Sequence, residues 1–176
     1  MGGSGYAVIW QAEEKKASVI DFQGVLPQSI DLSDYPLDAE NPASIMGFPG
    51  VVDNANVTGY GSIAIPGAVA GLSLAQQKFG RFGFDSVLGH AITLADRGLP
   101  VDWFTTLQIS LEAQNLSAFP TSASIYLPAG FPPQPEQYLP LGNLSKTLKS
   151  LSDNGPSDFY EGSIAELLVN DLQAGG

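Results

Sequence analysis

The first apolar stretches of the chain have the composition and period of β-strands. Residues 6–11 (YAVIWQ) and 17–22 (ASVIDF) are rich in β-branched and aromatic residues, and the charged stretch 12–16 (AEEKK) separates them. Because charged side chains are costly to bury, we expect the stretch between the two runs to form an exposed turn. The pattern predicts a β-hairpin, and the uninterrupted apolar run at residues 6–10 is typical of a strand that is covered on both faces.

Residues 26–56 lack apolar periodicity, which predicts a long loop over the surface. The prolines of this stretch are Pro27, Pro36, Pro42 and Pro49. Residues 60–65 then form a short β-like run that ends at Pro66 and Gly67. Proline at the first position of a helix gives up only an N–H group that has no partner there, so a strand-to-helix turn is predicted at this point.

Helical periodicity dominates the rest of the chain. We expect Gly80, in the left-handed conformation, to end the first helix, Asp85 to cap the second, and Gly98 and Pro100 to stop it. The proline-rich stretch 131–135 (FPPQP) is expected to be a loop. The apolar positions that indicate the first three helices are Val69, Leu72, Ala75 and Phe79; Val87, Leu88, Ala91, Ile92 and Ala95; and Phe104, Leu107 and Leu111. A fourth helix is indicated by Leu141, Leu144, Leu148 and Leu151, before a stop signal at 154–156. The last helix is indicated by Leu167, Leu168 and Leu172, after a capping box at Ser163 and Glu166.

These elements predict the α+β class, with a chain that is mainly helical and carries a β-hairpin and a short further strand. A two-stranded sheet is marginally stable by itself and needs other elements to cover it. Residues 1–176 are therefore expected to form a single, incomplete domain.

Composition and charge narrow the range of partners. The chain has 176 residues, 44% of them hydrophobic, and its 18 acidic residues against 7 Lys and Arg give a net charge of −11 at pH 7. Such a charge repels phosphates, so neither nucleic acid nor an anionic membrane surface is expected as a partner. The absence of cysteine excludes disulfides, thiolate metal sites and a cysteine nucleophile. The sequence shows no signal peptide and no transmembrane run, and the compartment stays unknown.

Two candidate groups for catalysis or metal binding are weak. His90 is the only histidine, and its position next to Ala91 in a helical stripe is typical of a structural or partly exposed side chain. Asp31, Asp34 and Asp38 come close together in the long loop, but their spacing lacks the ligand order of an EF-hand. We interpret the three aspartates as a solvated acidic loop and predict no metal site.

The glycines Gly2, Gly3 and Gly5 also do not predict a nucleotide site. They precede a strand, whereas the glycine-rich loops that bind phosphate precede a helix. No cofactor and no catalytic residue is predicted in this chain.

Several motifs, in this order, resemble the γ-glutamyltranspeptidase family of N-terminal-nucleophile hydrolases. The glycine-rich segment 2–8 (GGSGYAV) is similar to the family's lead into a core strand, and residues 62–72 (SIAIPGAVAGL) look like its strand-to-helix signature. Residues 79–80 (FG), 95–101 (ADRGLPV) and 158–165 (DFYEGSIA) follow at family-like spacing. The resemblance spans nearly the whole chain.

The resemblance implies a four-layer αββα sandwich made as a precursor that cleaves itself into a large and a small subunit. The new N-terminal residue of the small subunit, usually threonine, is the nucleophile for γ-glutamyl or related acyl amides, with its own α-amine as base. By this resemblance the chain is an internal part of the large subunit, its partner is the small subunit of the same precursor, and alone it should be inactive. A non-catalytic scaffold that keeps the fold is the alternative function.

One substrate-binding position is implied by the same resemblance. The family has an arginine after the second strand of the hairpin, and this arginine binds the α-carboxylate of the substrate. Gln23 stands at that position in residues 21–25 (DFQGV), and Arg81 is too far along the chain for a small shift to supply the arginine. Glutamine offers one neutral donor group where arginine offers a charged fork, which favours an acyl group of another kind, as in a cephalosporin-acylase-like relative. Gln23 as a plain polar residue at a strand end is the other interpretation.

Overall fold

The computed structural model describes residues 3–40 and 47–175. The chain folds into two compact units. Unit 1 is formed by residues 1–80 with 165–176, and unit 2 by residues 81–164. The single, incomplete domain expected from the sequence stays a prediction.

Unit 1 begins with the predicted β-hairpin, which the structure confirms. Strands β1 (Tyr6–Gln11) and β2 (Lys16–Asp21) pair antiparallel, with Val8 opposite Val19. Ile20 is buried on one face of the hairpin. On the other face Tyr6, Val8, Trp10 and Val19 are exposed, so the described part of the chain does not provide the cover expected on both faces.

Four apolar side chains on one exposed strand surface are unusual for an isolated domain, because burying each would contribute about 1.5–3 kcal/mol. The hairpin therefore presents a surface suited to a further layer of structure.

The predicted strand at residues 60–65 is wrong. Tyr60–Ser62 forms a 3₁₀ turn, and Ile65 alone makes a β-bridge, to Val25. The turn begins after Gly59, whose φ of 98° lies in the left-handed region, and the Ser62 hydroxyl donates to the Gly59 carbonyl at 2.7 Å. These local hydrogen bonds compete with strand pairing, and apolar composition alone does not reveal them.

The described parts of the long loop before this turn, residues 26–40 and 47–56, have little regular structure, as predicted. It contains the 3₁₀ turns Leu32–Asp34 and Val52–Asn54 and a bridge between Leu37 and Val51. Pro42, one of the prolines that predicted the loop, lies outside the described residues.

Helix α1 (Ala68–Phe79) is confirmed, with two differences at its ends. Gly67 is the N-cap, so Pro66 precedes the helix and does not occupy its first position. Gly80 has φ −76° and ψ 157°, which is extended backbone and not the left-handed conformation expected. Its N–H donates to the Gln76 carbonyl at 2.7 Å, and the chain leaves the helix directly in an extended direction.

Phe22 holds the end of the hairpin against helix α1. A Cβ atom added to Gly71 would overlap the Phe22 side chain, and one added to Gly67 would overlap the Phe22 carbonyl. A Cβ at Gly5 would lie 3.1 Å from the Phe22 ring. Three glycines therefore allow the ring and backbone of Phe22 to approach the helix and the first segment closely.

Unit 2 consists mainly of helices. Its elements are α2 (Phe84–Arg97), β3 (Leu99–Pro100), α3 (Trp103–Leu111), α4 (Ala113–Ser117), α5 (Pro120–Tyr126), β4 (Tyr138–Leu139), α6 (Leu144–Asn154) and α7 (Asp158–Glu161). Helix α2 packs along α6, and β3 pairs antiparallel with β4. The proline-rich stretch 131–135 is a loop, as predicted.

The core of unit 2 gathers around the β3–β4 pair. Leu139 is 1% exposed and clusters with Val101, Ile109 and Leu127. Leu151 of α6 is 2% exposed. The helical periods that predicted α2, α3 and α6 therefore identify true elements, and the α+β class with a mainly helical chain is confirmed.

The ends of helix α2 differ in how well the sequence predicts them. Gly98 has φ 90° and ends the helix as expected. The N-cap position belongs to Gly83, however, and Asp85 lies within the first turn without capping it. Val87, predicted in the buried stripe, is 52% exposed. An acidic residue in the first turn still interacts favourably with the helix dipole, so its presence marks the region of the start but not the residue.

The last two helices meet at a buried carboxylate. Helix α8 (Ser163–Gly175) begins in unit 2, where its first residue lies beside Asp158 of α7. Asp158 is 6% exposed, and it accepts hydrogen bonds from the Ser150 hydroxyl at 2.7 Å and the Ser163 backbone N–H at 2.7 Å. A Cβ at Gly162 would overlap the Asp158 carboxylate. This geometry gives a physical reason for Asp, Gly and Ser in the motif at residues 158–165.

The hydrogen bond from Ser150, followed by those from Ser163 and opposed by burial, holds the pKa of Asp158 below its usual value. A carboxyl whose pKa is lower in the folded than in the unfolded state stabilises the fold above its unfolded pKa, and this contribution is lost as the pH falls through the folded pKa. We therefore predict that Asp158→Asn lowers the thermal unfolding midpoint at pH 7 and that its difference from wild type shrinks below about pH 4. Unfolding scans from pH 7 to pH 3 test this.

The matched control for that series is Asp153→Asn, which removes the same charge from an exposed position on α6. It should follow wild type at every pH. A constant difference for Asp158→Asn down to pH 3 would contradict the ionised role of Asp158.

A second prediction concerns the contact between Phe22 and α1. Gly71→Ala should destabilise the protein by about 1–3 kcal/mol, because the added methyl group overlaps the Phe22 ring. Gly89→Ala is the control, since Gly89 lies inside α2 with nothing within 4 Å of an added Cβ. There the higher helix propensity of alanine should stabilise the protein by up to about 1 kcal/mol. Urea unfolding measures both, and stabilisation by both substitutions would refute the close packing at Phe22.

Candidate functional site

The site residue predicted from the sequence lies in a short segment that is held at both ends. Phe22 exchanges backbone hydrogen bonds with Gly5, at 2.9 and 3.3 Å, and Val25 exchanges them with Ile65, at 3.1 and 2.8 Å. Gln23 lies between these two pairs. The segment 22–25 is thus fixed against the glycine-rich segment on one side and against the turn before α1 on the other.

Gln23 itself is exposed. Its backbone N–H donates to the Asp21 carboxylate at 3.0 Å, forming a turn in which an aspartate side chain accepts from the residue two positions later. The carboxamide at position 23 is therefore accessible to a ligand while its backbone is held in place.

Small residues pack against the backbone next to Gln23. A Cβ at Gly24 would lie 3.3 Å from the Ile65 carbonyl and 3.4 Å from the Ala64 Cβ. The Gly3 carbonyl accepts from the Ala68 N–H at 3.0 Å, at the start of α1. Two of the motifs singled out in the sequence, at residues 2–8 and 62–72, therefore meet at the segment that carries Gln23, although Gly2 lies outside the described residues.

The side chain of Gln23 offers only neutral hydrogen bonding. Residues 1–80 and 165–176, which form unit 1, contain no arginine in the sequence. Arginine binds a carboxylate through two parallel charge-assisted hydrogen bonds, and glutamine can supply only neutral ones. Gln23 can orient a carbonyl, hydroxyl or amide, but it does not supply a counter-charge.

The acidic loop lines a separate concave surface of unit 1, with a volume of about 370 Å³. Asp31 and Asp34 are among its lining residues, together with Tyr35 and Tyr60. The pKa of Asp31 is lowered by hydrogen bonds from the Ser33 backbone and then from its hydroxyl, so this carboxylate stabilises its own turn. Within residues 3–40 and 47–175, no group of three or more potential metal ligands is gathered.

His90 is exposed on helix α2. In the described ranges, no helix is both long and apolar enough to cross a membrane.

Two features of unit 1 were not predicted from the sequence, namely the hydrogen bond between Asp21 and Gln23 and the concave surface. The first has a detectable signal, because an aspartate side chain commonly accepts a hydrogen bond from the backbone N–H two residues later.

Comparison with known proteins places these features in a family. The chain is 30% identical to the glutathione hydrolase proenzyme of Pseudomonas sp. (strain A14), over 100% of this chain and 29% of that protein. It is 34% identical to the acylase ACY 1 proenzyme of Pseudomonas sp. (strain SE83), over 70% of this chain and 22% of that protein. The γ-glutamyltranspeptidase of Helicobacter pylori superposes with a TM-score of 0.86 at 25% identity, over 99% of this chain and 48% of that chain.

The chain thus spans less than a third of the length of these curated relatives. The agreement nevertheless extends from end to end of the chain, since the model of the family described as gamma-glutamyltranspeptidase matches residues 1–176. The structural match to a solved enzyme of that name covers the same extent and confirms the fold that the motifs imply. This chain belongs to the γ-glutamyltranspeptidase family.

Proposed function

We propose that the full-length protein is an enzyme that cleaves or transfers γ-glutamyl or related acyl amides, and that this chain is an internal part of its large subunit. The observation that carries the proposal is the family match over residues 1–176. Similarity to one proenzyme named glutathione hydrolase and another named acylase supports amide cleavage as the reaction class. Residues 1–176 then form one incomplete domain, and the small subunit of the same precursor is their partner.

The exposed face of the hairpin supports such a partner. Val8 is 73% exposed and Trp10 is 62% exposed, on a sheet that has two strands within the described residues. In the proposed sandwich this apolar surface is covered by another layer of the complete protein. The low share of the relatives' length that the chain covers agrees with that arrangement.

In the proposed mechanism, the nucleophile is the N-terminal threonine of the small subunit. Its hydroxyl attacks the amide carbonyl, and its own α-amine takes the hydroxyl proton and delivers it to the leaving amine. Water or an acceptor amine then releases the acyl group. The contribution of this chain is the scaffold and part of the acyl pocket, and without the small subunit it is inactive.

Gln23 sets the acyl preference in this proposal. A carboxylate held by arginine gains two charge-assisted hydrogen bonds, whereas the carboxamide of Gln23 offers neutral ones to a polar group. We therefore propose an acyl group without an α-carboxylate, and the similarity to an acylase proenzyme supports this direction.

The second candidate is a non-catalytic scaffold that keeps the fold. The absence of arginine from unit 1 favours it, because a scaffold needs no group to bind the substrate carboxylate. The two candidates differ in whether the precursor processes itself.

Expression of the full-length precursor separates them. We expect it to split into two chains, and mass spectrometry should show a new N-terminal threonine or serine on the smaller one. The purified product should release amine from acyl amides. A precursor that stays whole and inert under the same conditions favours the scaffold.

A substitution in the complete protein tests the role of position 23. Gln23→Arg should raise kcat/KM for a γ-glutamyl amide relative to the matching amide without the α-carboxylate by about tenfold, because hydrogen bonds between charged groups contribute about 1.5–3 kcal/mol. Gln23→Lys is the control, since it adds the charge without the planar fork and should give a smaller gain. An unchanged ratio for both variants would show that residue 23 does not contact the acyl group.

A further inference from the structure

We infer that Asp21 is a positioning residue, which sets the direction of the side chain at position 23 through the turn that its carboxylate closes. The inference rests on the proposed function, because it assigns Asp21 a role in the acyl specificity of the same site. It adds a residue that acts on the ligand only through another.

The turn is defined by one hydrogen bond. The Asp21 Oδ1 atom accepts from the Gln23 N–H at 3.0 Å. Asp21 is the last residue of β2, and Tyr6 is its partner across the hairpin. The bond therefore ties the backbone N–H of Gln23 to the last residue of the paired strand.

The segment needs this restraint at position 23 in particular. The backbone hydrogen bonds of Phe22 with Gly5 and of Val25 with Ile65 hold the two ends of the segment. Gln23 and Gly24 form the link between them, and glycine has the greatest backbone freedom of any residue. The hydrogen bond from the Gln23 N–H to Asp21 fixes the peptide group that enters this link, and with it the direction in which the Gln23 backbone starts.

The proposed role requires a hydrogen-bond acceptor at position 21 and not a negative charge. Asparagine has a side-chain carbonyl at the same place and closes the same kind of turn, so it should preserve the role. Alanine removes the acceptor. A purely electrostatic role would make the two variants equally defective, because Asp21→Asn and Asp21→Ala remove the same charge.

The test uses the full-length protein and the same pair of amides, with and without an α-carboxylate. In the Gln23→Arg background, Asp21→Ala should reduce the gain in relative kcat/KM by about fivefold, the equivalent of one ordinary hydrogen bond. The loss should appear mainly in KM for the carboxylate-bearing amide. Asp21→Asn should retain most of the gain, and thermal unfolding should show all variants folded at the assay temperature.

The outcomes of this test distinguish the role of Asp21 from the proposed function on which it rests. Retention of the full gain by Asp21→Ala, or equal loss in the alanine and asparagine variants, overturns the role of Asp21 and leaves the proposed site at position 23 intact. If Gln23→Arg alone gives no gain in relative kcat/KM, both the role of Asp21 and the proposed site at position 23 are overturned. A general loss of kcat on both amides would assign Asp21 to fold integrity and also refute positioning.

Discussion

The close approach of Phe22 to three glycines is the constraint on which the candidate site depends. Gly71 and Gly67 allow helix α1 to lie against the side chain and carbonyl of Phe22, and Gly5 allows the ring to approach the first segment. Core packing tolerates little extra volume, so a side chain at Gly71 would displace Phe22 and with it the following residue. The position of Gln23 thus follows from an apolar contact one residue earlier.

In unit 2, hydrogen bonds to one buried carboxylate hold several elements together. Asp158 is 6% exposed, and its carboxylate links α6 through Ser150 to the start of α8 through Ser163. A buried carboxylate is tolerated when its oxygens accept hydrogen bonds, and the short spacing between Asp158 and Ser163 is what makes this possible. These hydrogen bonds give a structural reason for Asp158 and Ser163 in the motif at residues 158–165.

Regular elements with strong periodicity can be predicted from the sequence, and the details of their ends cannot. The hairpin and helices α1, α2 and α6 follow from apolar spacing, because burying one face decides their type. The strand predicted at residues 60–65 is wrong because the Gly59 conformation and the Ser62 hydroxyl favour a turn. Gln23 is identified by resemblance, while its turn with Asp21 depends on a single hydrogen bond that periodicity does not reveal.

The contacts that hold the backbone at Gln23 leave its side chain uncommitted, which suits the acyl-binding role proposed for this position. The contacts that fix the segment involve the backbone of Phe22 and Val25, the ring of Phe22 and the carboxylate of Asp21. None of them uses the side chain at position 23, which is exposed. A change from arginine to glutamine at this position therefore alters the charge presented to a ligand at little cost to the fold. Specificity at such a position can diverge while the surrounding glycines and Phe22 remain constrained by packing.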